Sequence, residues 1–204
     1  MTQVSSQTRE LAPEEADRAA IYGFVARLLQ APPTSADLDV IRRLAADETE
    51  FGQGLGQLAA AAREADVNAL RDQFNALFIG LGRGELVPYA SFYLTGFLNE
   101  KPLADLRVHM ASLGIARADD VKEPEDHIAA LFQSMEGLID GSFGPTDLCT
   151  QRTFFTRHIA SWAPHFFKDL AAQTTSPFYA ALGALGGVLT AIETEAFDMT
   201  GREA

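Results

Sequence analysis

The chain has 204 residues, of which 47% are hydrophobic and 22% are charged, as is typical of a soluble globular protein. Its 28 acidic and 16 basic side chains give a net charge of −12, which disfavours nucleic acid and anionic membranes as partners. The single cysteine, Cys149, excludes an internal disulfide and a zinc cluster built on cysteines.

The first twelve residues are polar and lack the apolar core and cleavage site of a secretory leader, and we expect them to be flexible. The longest weakly polar run, residues 178–189, is shorter than the roughly 20 apolar residues that span a bilayer. We therefore predict a cytoplasmic protein without a stable membrane segment.

Helices are predicted along most of the chain, because apolar residues recur about every 3.6 residues. The apolar stripes cover residues 21–29, 38–45, 67–81, 103–113, 128–139, 148–162 and 182–196. Residues that suit helix starts precede most of them: Ser35, Asp66, Pro102, Pro124, Thr146 and Pro177. We predict an all-α bundle of eight to ten helices that forms one domain over residues 13–200.

Two loops interrupt this pattern. Residues 80–84 contain three glycines and lead into an extended segment at residues 85–89, and residues 140–145 form a loop that would suit a hinge. The glycine spacing at 80, 82 and 84 resembles a nucleotide-binding fingerprint, but that fingerprint needs a strand before it, and here a helix precedes. We interpret these glycines as a helix-ending loop, and those at 52, 54 and 56 fail as a fingerprint for the same reason.

Catalytic and metal-binding signatures are absent from the sequence. The four histidines lie outside the metalloprotease and carboxylate-bridged patterns, and Glu123 with His127 alone would make a weak metal site. An alternative is a small enzyme that uses Asp126 and His127 as an acid–base pair. It would lack a nucleophile, a phosphate cradle and a metal set. We predict a protein that is not an enzyme and binds no metal or cofactor.

Two short segments carry more information than their surroundings. Residues 88–94 read Pro-Tyr-Ala-Ser-Phe-Tyr-Leu, and the two tyrosines are four residues apart, a spacing at which they could stack on one helix face. Residues 122–128 read Lys-Glu-Pro-Glu-Asp-His-Ile, which is typical of a helix start with acids in its first turn. A half-buried tyrosine pair and an ordinary helix start remain the simplest interpretations of each segment alone.

Together the segments resemble a known family. Glu-Pro-Glu-Asp-His at residues 123–127 is similar to the Glu-Pro-x-Asp-His motif of the TorD/DmsD/NarJ redox-enzyme maturation chaperones. Residues 89–94 resemble that family's Tyr-Glu-Ser-x-Tyr motif, although Ala90 stands where glutamate is common. The resemblance continues through the helix at 74–80 and the aromatic residues at 154–162 and 178–179, so that it covers roughly residues 15–197.

The resemblance implies an all-helical chaperone without catalytic activity or cofactor. Relatives bind the twin-arginine leader and the apo form of a molybdopterin oxidoreductase catalytic subunit, and they delay Tat export until the cofactor is inserted. Residues 103–107 and 114–119 look most like members that accompany formate dehydrogenases. Members occur as monomers and as domain-swapped dimers. A structural helical subunit of an oxidoreductase complex is the other function that such a chain could have.

A twin-arginine leader is a pair of guanidinium groups followed by an apolar segment that tends to be helical. We therefore expect Asp126 to accept a bidentate arginine bond, and Asp126 and His127 to lie partly exposed at the rim of an apolar groove. His127 would tune affinity through its protonation or orient Asp126. The predicted leader- and client-binding residues are Leu77, Phe78, Pro88, Tyr89, Ser91, Tyr93, Glu123, Pro124, Asp126 and His127.

Overall fold

The computed structural model describes residues 11–80, 84–144 and 147–200. Within these ranges the chain forms ten α-helices, one π-helical turn and no strand, which confirms the predicted all-α fold. The helices are α1 (Pro13–Gln30), α2 (Ser35–Ile41), α3 (Glu50–Glu64), α4 (Val67–Phe74), α5 (Ala90–Thr95), α6 (Lys101–Ser112), α7 (Ile128–Asp140), α8 (Leu148–His158), α9 (Ala163–Ala171) and α10 (Pro177–Thr200). The π-helical turn, Asn75–Ile79, continues α4.

The core is built from three helix pairs: α1 packs on α7, and α10 packs on both α9 and α3. Aromatic rings connect these pairs. Tyr22 of α1 meets Phe132 of α7 edge-on at 5.0 Å, and Phe132 meets Phe167 of α9 at 5.6 Å between ring centroids. All three rings are fully buried, and each contributes about 1.5–3 kcal/mol of hydrophobic stabilisation.

Glycines allow α10 to approach its neighbours closely. A side chain at Gly183 would collide with the backbone of α9, and one at Gly186 would collide with the ring of Phe167. On the other side, a Cβ at Gly54 of α3 would meet Leu185 at 3.1 Å. The glycines at 52, 54 and 56 therefore lie inside a helix, where they fit against neighbouring residues rather than form a nucleotide loop.

Several helix boundaries follow the sequence, and two differ by a few residues. Asp66 caps α4 as predicted, by accepting hydrogen bonds from two backbone N–H groups. At α2 the cap is Thr34, one residue before the predicted Ser35, because Thr34 and Asp37 form a reciprocal capping box. Pro124 was predicted to start a helix, but α7 begins only at Ile128.

Some predicted positions fall outside the described residues. These are Thr146, most of the N-terminal segment of residues 1–12, and parts of the loops at 80–84 and 140–145. Asp147 caps α8 instead, by accepting the N–H of Thr150 at 2.7 Å. In the described part of the second loop, Gly141 and Gly144 have φ values of 83° and 96°, which favour glycine. A hinge there stays a prediction.

A buried polar network joins the start of α1 to the end of α10. The Arg18 guanidinium donates to both carboxylate oxygens of Glu193 at 2.7 Å and to Gln151 of α8 at 2.7 Å. Tyr22 adds a hydrogen bond to Glu193 at 2.9 Å. The network thus connects α1, α8 and α10. Removing one partner would leave a buried charge unpaired, so that the network opposes separation of these helices.

Helix α10 is long and apolar enough to cross a membrane by length and composition. Half of the relevant 18-residue window is buried inside the protein, however, as in the core helix of a folded domain. The packing against α3 and α9 accounts for its apolar character.

Candidate functional site

The two segments singled out in the sequence lie side by side. Tyr89 and His127 form an antiparallel β-bridge, in which the Ala90 N–H donates to the Asp126 carbonyl at 3.0 Å. The Ile128 N–H donates to the Pro88 carbonyl at 2.9 Å. We call residues 88–91 and 123–129 together the clamp, because these contacts fasten the start of α5 to the start of α7.

Asp126 and His127 serve as helix caps within the clamp. The Asp126 carboxylate accepts the Ser91 N–H at 2.9 Å and so caps α5, whose own first residues supply no side-chain cap. The His127 Nδ1 accepts the Ala129 N–H at 3.1 Å and caps α7. Such a contact needs an unprotonated Nδ1, and burial lowers the pKa of His127 to about 4.

The prediction that Asp126 and His127 lie partly exposed at a rim is therefore wrong. Asp126 is only 1% exposed and His127 only 8%. Both side chains turn inward, because the helix ends that they cap are themselves buried. With 1% of its surface exposed, Asp126 is not accessible to an arginine of a partner in this arrangement. Protonation of His127 Nδ1 would break the cap of α7.

The two glutamates of the motif are also engaged. The Tyr89 hydroxyl donates a hydrogen bond to the carboxylate of Glu123. Partial burial raises the pKa of the Glu123 carboxyl. Glu125 accepts two hydrogen bonds from Arg107 of α6, at 2.8 and 3.0 Å, and lies 3.7 Å from Arg117. Pro124 is half-buried between these glutamates. All four acidic or imidazole side chains of the motif thus have intramolecular partners.

The predicted aromatic residues divide between separate clusters. Tyr89 precedes α5 and packs edge-on against His127, with ring centroids 5.0 Å apart. Tyr93 lies within α5, where it packs near Trp162 at 5.5 Å and donates to Asp169 at 2.9 Å. The spacing of four residues therefore does not bring the two tyrosines onto one helix face.

The two predicted residues of the π-helical turn belong to another cluster. The ring of Phe78 packs between those of Phe74 and Tyr179, at 4.9 and 5.7 Å. Leu77 is buried in the core, as are Pro88 and Ser91 of the clamp. Of the predicted site residues, only Glu123 is freely exposed, while Phe78, Tyr89, Tyr93 and Pro124 are half-buried.

A pocket of about 190 Å³ opens beside the clamp, where α5, α6, α7 and α8 meet. Its lining includes two acids, two basic side chains and apolar residues: Ala90, Leu94, Asp105, Asp126, Arg157 and His158. Asp105 is exposed, so that its carboxylate is available to a ligand, whereas Asp126 is held by its cap. An acid and an apolar surface therefore meet at this pocket.

An apolar rim borders this pocket. Leu94, Phe97 and Leu98, which we call the rim, are 46%, 70% and 48% exposed. They lie at the end of α5 and in the following turn, where Gly96 and Asn99 take positive φ values. Sequence reasoning missed the rim. The sequence feature that indicates it is the pair Phe97 and Leu98 in the short turn between Gly96 and Pro102. Large apolar residues in such a turn do not belong to the apolar stripe of a helix, so helix packing does not bury them.

Two histidines pair at the inner wall of the pocket. The His109 Nδ1 of α6 and the His158 Nε2 of α8 are 2.8 Å apart. Burial, with lesser effects of His109 and Arg157, lowers the pKa of His158 to about 4. The pair is therefore uncharged at neutral pH. Within the described part of the chain, no group of three or more metal-ligating side chains comes together.

Comparisons with known proteins show the family and the fold. Residues 44–168 match the family described as nitrate reductase delta subunit. A chaperone protein TorD from Aliivibrio fischeri is 29% identical over 204 aligned residues, covering 86% of this chain and 92% of the relative. The corresponding protein of Photobacterium profundum is 30% identical and covers 80% and 86% of the two chains.

A solved structure shows the same fold. It is described as a putative redox enzyme maturation protein from Archaeoglobus fulgidus. The two structures superimpose with a TM-score of 0.54, and the match covers 84% of this chain and 93% of the other. The 19% identity of that pair supports the fold alone. The matched family and the relatives named as chaperones confirm the predicted resemblance, and the chain belongs to the nitrate reductase delta subunit family, that of the TorD-type maturation chaperones.

Proposed function

We propose that this chaperone holds the apo form of a molybdopterin oxidoreductase catalytic subunit in the cytoplasm by binding its twin-arginine leader at the pocket and the rim. The single observation that carries the proposal is the meeting of the exposed Asp105 carboxylate with Leu94, the first residue of the apolar rim, at one opening. A leader presents the complementary pair, guanidinium groups followed by an apolar segment.

The acid side of the pocket suits an arginine. Asp105 is exposed on α6, close enough to His158 for their charges to interact across the pocket. A carboxylate of this kind can accept two parallel N–H bonds from a guanidinium, which lysine cannot supply in the same plane. The net charge of −12 would speed the encounter with a basic leader by steering it.

The rim suits the apolar segment of the leader. Three large apolar side chains stand exposed within five residues of one another, next to the acid. An amphipathic helix could cover Phe97 and Leu98 with its apolar face while its arginines reach Asp105. In this arrangement the clamp contributes Ala90 and Asp126 to the wall of the pocket. Its other contacts hold α5 and α7 at the spacing that forms the pocket.

The remaining features of the proposal follow the family resemblance. The client would be formate dehydrogenase-like, the chaperone would have no catalytic activity, and it would release the client once the cofactor is inserted. Exchange of the elements after the loop at 140–145 would produce the domain-swapped dimer, beside the monomer.

The test is calorimetric titration with the twin-arginine leader peptide of a molybdoenzyme catalytic subunit from the same organism. Asp105→Asn should weaken binding at least tenfold, because a hydrogen bond to a charged group contributes about 1.5–3 kcal/mol. Changing both leader arginines to lysine should weaken it similarly. Asp17→Asn is the matched control, since Asp17 is also exposed and also the fifth residue of its helix.

Salt separates the two parts of the site. Raising the ionic strength should weaken the arginine contact, since exposed charges are screened within about 8 Å at physiological salt. Affinity from the rim should persist. If the leader binds Asp105→Asn and wild type equally at low salt, the arginine contact at Asp105 is wrong. If no leader binds, the chaperone recognises the folded body of its client instead.

The name of the matched family favours testing a second function, that of a lasting structural subunit. Co-purification distinguishes the two. A chaperone is absent from the mature, cofactor-loaded enzyme, whereas a subunit stays with it in constant proportion.

A further inference from the structure

A second groove lies away from the clamp, between the start of α9 and the C-terminal half of α10. Its volume is about 520 Å³, and it shares no lining residue with the pocket described above. The residues that matter for its chemistry are Pro164, Gly187, Ala191, Glu195, Asp198 and Met199. Four of these are apolar or lack a side chain, and two are acids, so the groove combines an apolar floor with negative charge.

The acids are placed where the helix itself does not favour them. Asp198 lies in the last turn of α10, where the partial negative charge of the helix end disfavours a carboxylate. No basic residue lies in that turn. Both Glu195 and Asp198 are exposed, and Met199 beside them is exposed as well. An acidic edge on an apolar surface of this kind is complementary to a cation that also carries apolar side chains.

Gly187 keeps the groove open without being needed for packing. Its neighbours Gly183 and Gly186 are required, since a side chain at either would collide with α9. A Cβ at Gly187 would meet only the Cβ of Phe167, at an ordinary 3.9 Å. A methyl group would therefore fit at this position, whereas a longer side chain would extend into the groove.

The polar atoms of the groove wall are already satisfied. The Thr190 hydroxyl donates to the carbonyls of Gly186 and Gly187, at 3.0 and 2.9 Å. The Thr194 hydroxyl donates to the Thr190 carbonyl at 2.7 Å. A ligand that covers this wall therefore leaves no hydroxyl group of these threonines unpaired.

We propose that the groove between α9 and α10 binds a cationic amphipathic helix of a partner protein. The apolar face of that helix covers Gly187, Ala191 and Met199, and its lysines or arginines pair with Glu195 and Asp198. A second copy of this chain is disfavoured as the occupant, because each copy carries a net charge of −12. The proposal goes beyond leader binding, since it uses a separate surface.

The probe is a fluorescent 14-residue peptide of leucine and lysine, with leucines on one helix face and one of them photoreactive. Anisotropy measures its affinity, and mass spectrometry of the cross-linked protein locates it. We expect cross-links within residues 187–199. Gly187→Met, which fills the floor without touching the core, should weaken binding at least tenfold, and so should Glu195→Gln with Asp198→Asn.

Controls separate these effects from folding and from general electrostatics. Gly187→Ala should change affinity less than threefold. Glu64→Gln with Asp72→Asn removes two exposed helical acids elsewhere and should leave affinity unchanged. Groove variants that bind the peptide as wild type does would overturn the proposal. So would cross-links confined to the pocket and the rim, with none in residues 187–199, equal binding of a leucine–glutamate peptide, or a sedimenting dimer that the groove variants abolish.

Titration of the leader peptide against the same variants keeps this proposal distinct from the proposed function. The groove variants should bind the leader with unchanged affinity. A leader that binds nowhere, together with a basic helix that cross-links within 187–199, would refute the leader site and support the groove.

Discussion

The clamp and the rim lie next to each other, yet they use their side chains in opposite ways. In the clamp, polar side chains turn inward to cap helices, as Asp126 does for α5. In the rim, apolar side chains turn outward, and Phe97 is 70% exposed. Each arrangement reverses the usual placement of its residue type. The recognisable motif therefore maintains the shape of the site, and the less distinctive residues beside it offer the surface that a partner would meet.

The difference also explains why the clamp is visible in the sequence and the rim is not. A cap requires a short acceptor side chain at one position relative to a backbone N–H. Few residues satisfy that geometry, so that a motif results. A rim needs only apolar area, which leucine, phenylalanine or methionine supplies equally well.

The largest expected effect is an acid sensitivity of the clamp. His127 titrates near pH 6.5 in the unfolded chain but only near 4 when folded, because burial disfavours its charged form. Acid therefore protonates the unfolded chain first. The contribution of uncharged His127 to the free energy of unfolding should be fully present above pH 6.5. It should fall by about 3 kcal/mol as the pH drops to 4. Denaturant unfolding at several pH values measures this.

His127→Asn provides the control for that prediction, since asparagine is a good helix cap without a titrating group. The variant should lose most of the dependence between pH 6.5 and 4. What remains belongs largely to His158, whose pKa is also about 4. An unchanged pH dependence would show that His127 does not titrate as its burial demands.

Asp126→Ala should reduce the free energy of unfolding by about 2 kcal/mol, since it leaves the buried Ser91 N–H without an acceptor. The effect on folding should thus be large, which reverses the expectation that this residue acts mainly in binding. Urea unfolding of the variant and of Asp105→Ala compares the two acids of the pocket. Asp105→Ala should differ from wild type by less than about 0.5 kcal/mol.

Ser91→Ala should stabilise the protein by up to about 1 kcal/mol. The Ser91 hydroxyl is fully buried and has no hydrogen-bond partner among the described residues. Removing an unsatisfied hydroxyl relieves part of its desolvation cost. A rise in melting temperature is the expected result, and a clear fall would show that the hydroxyl has a partner, such as a bound water.

Phe97→Ser should change stability by less than about 0.5 kcal/mol, because the ring is mostly in water in the folded protein. Its effect should appear in leader affinity instead. Thermal unfolding and leader titration of the same preparation give both values. A destabilisation above 1 kcal/mol would place Phe97 in the core and remove the contrast between rim and clamp.

Sequence reasoning predicted the fold well where local rules and packing agree. Helix α6 begins with Lys101 and Pro102 and is followed by Gly114, as its proline, apolar stripe and glycine indicate. Helix α3 was not predicted, because its three glycines lower helix propensity. Their benefit comes from close contact with residues far along the chain, such as Leu185 against Gly54, which no local window contains.

The two segments that the sequence singles out, residues 88–94 and 122–128, lie side by side, joined by the Tyr89–His127 bridge. Their part in binding a partner stays a prediction, and their geometry differs from the expected one. A run of charged residues beside a proline reads as solvent-exposed, so the burial of Asp126 could not be foreseen. That burial depends on a partner segment 35 residues away in the chain.

The network around Arg18 has a consequence for how two molecules could exchange segments. Arg18 lies before the loop at 140–145, whereas Glu193 and Gln151 lie after it. Any exchange that opens the chain at that loop must first separate them and leave the buried Glu193 carboxylate without its guanidinium. The network is thus a kinetic barrier to exchange. Once exchange is complete, the same three side chains reunite between two chains, so that the barrier slows the return as well.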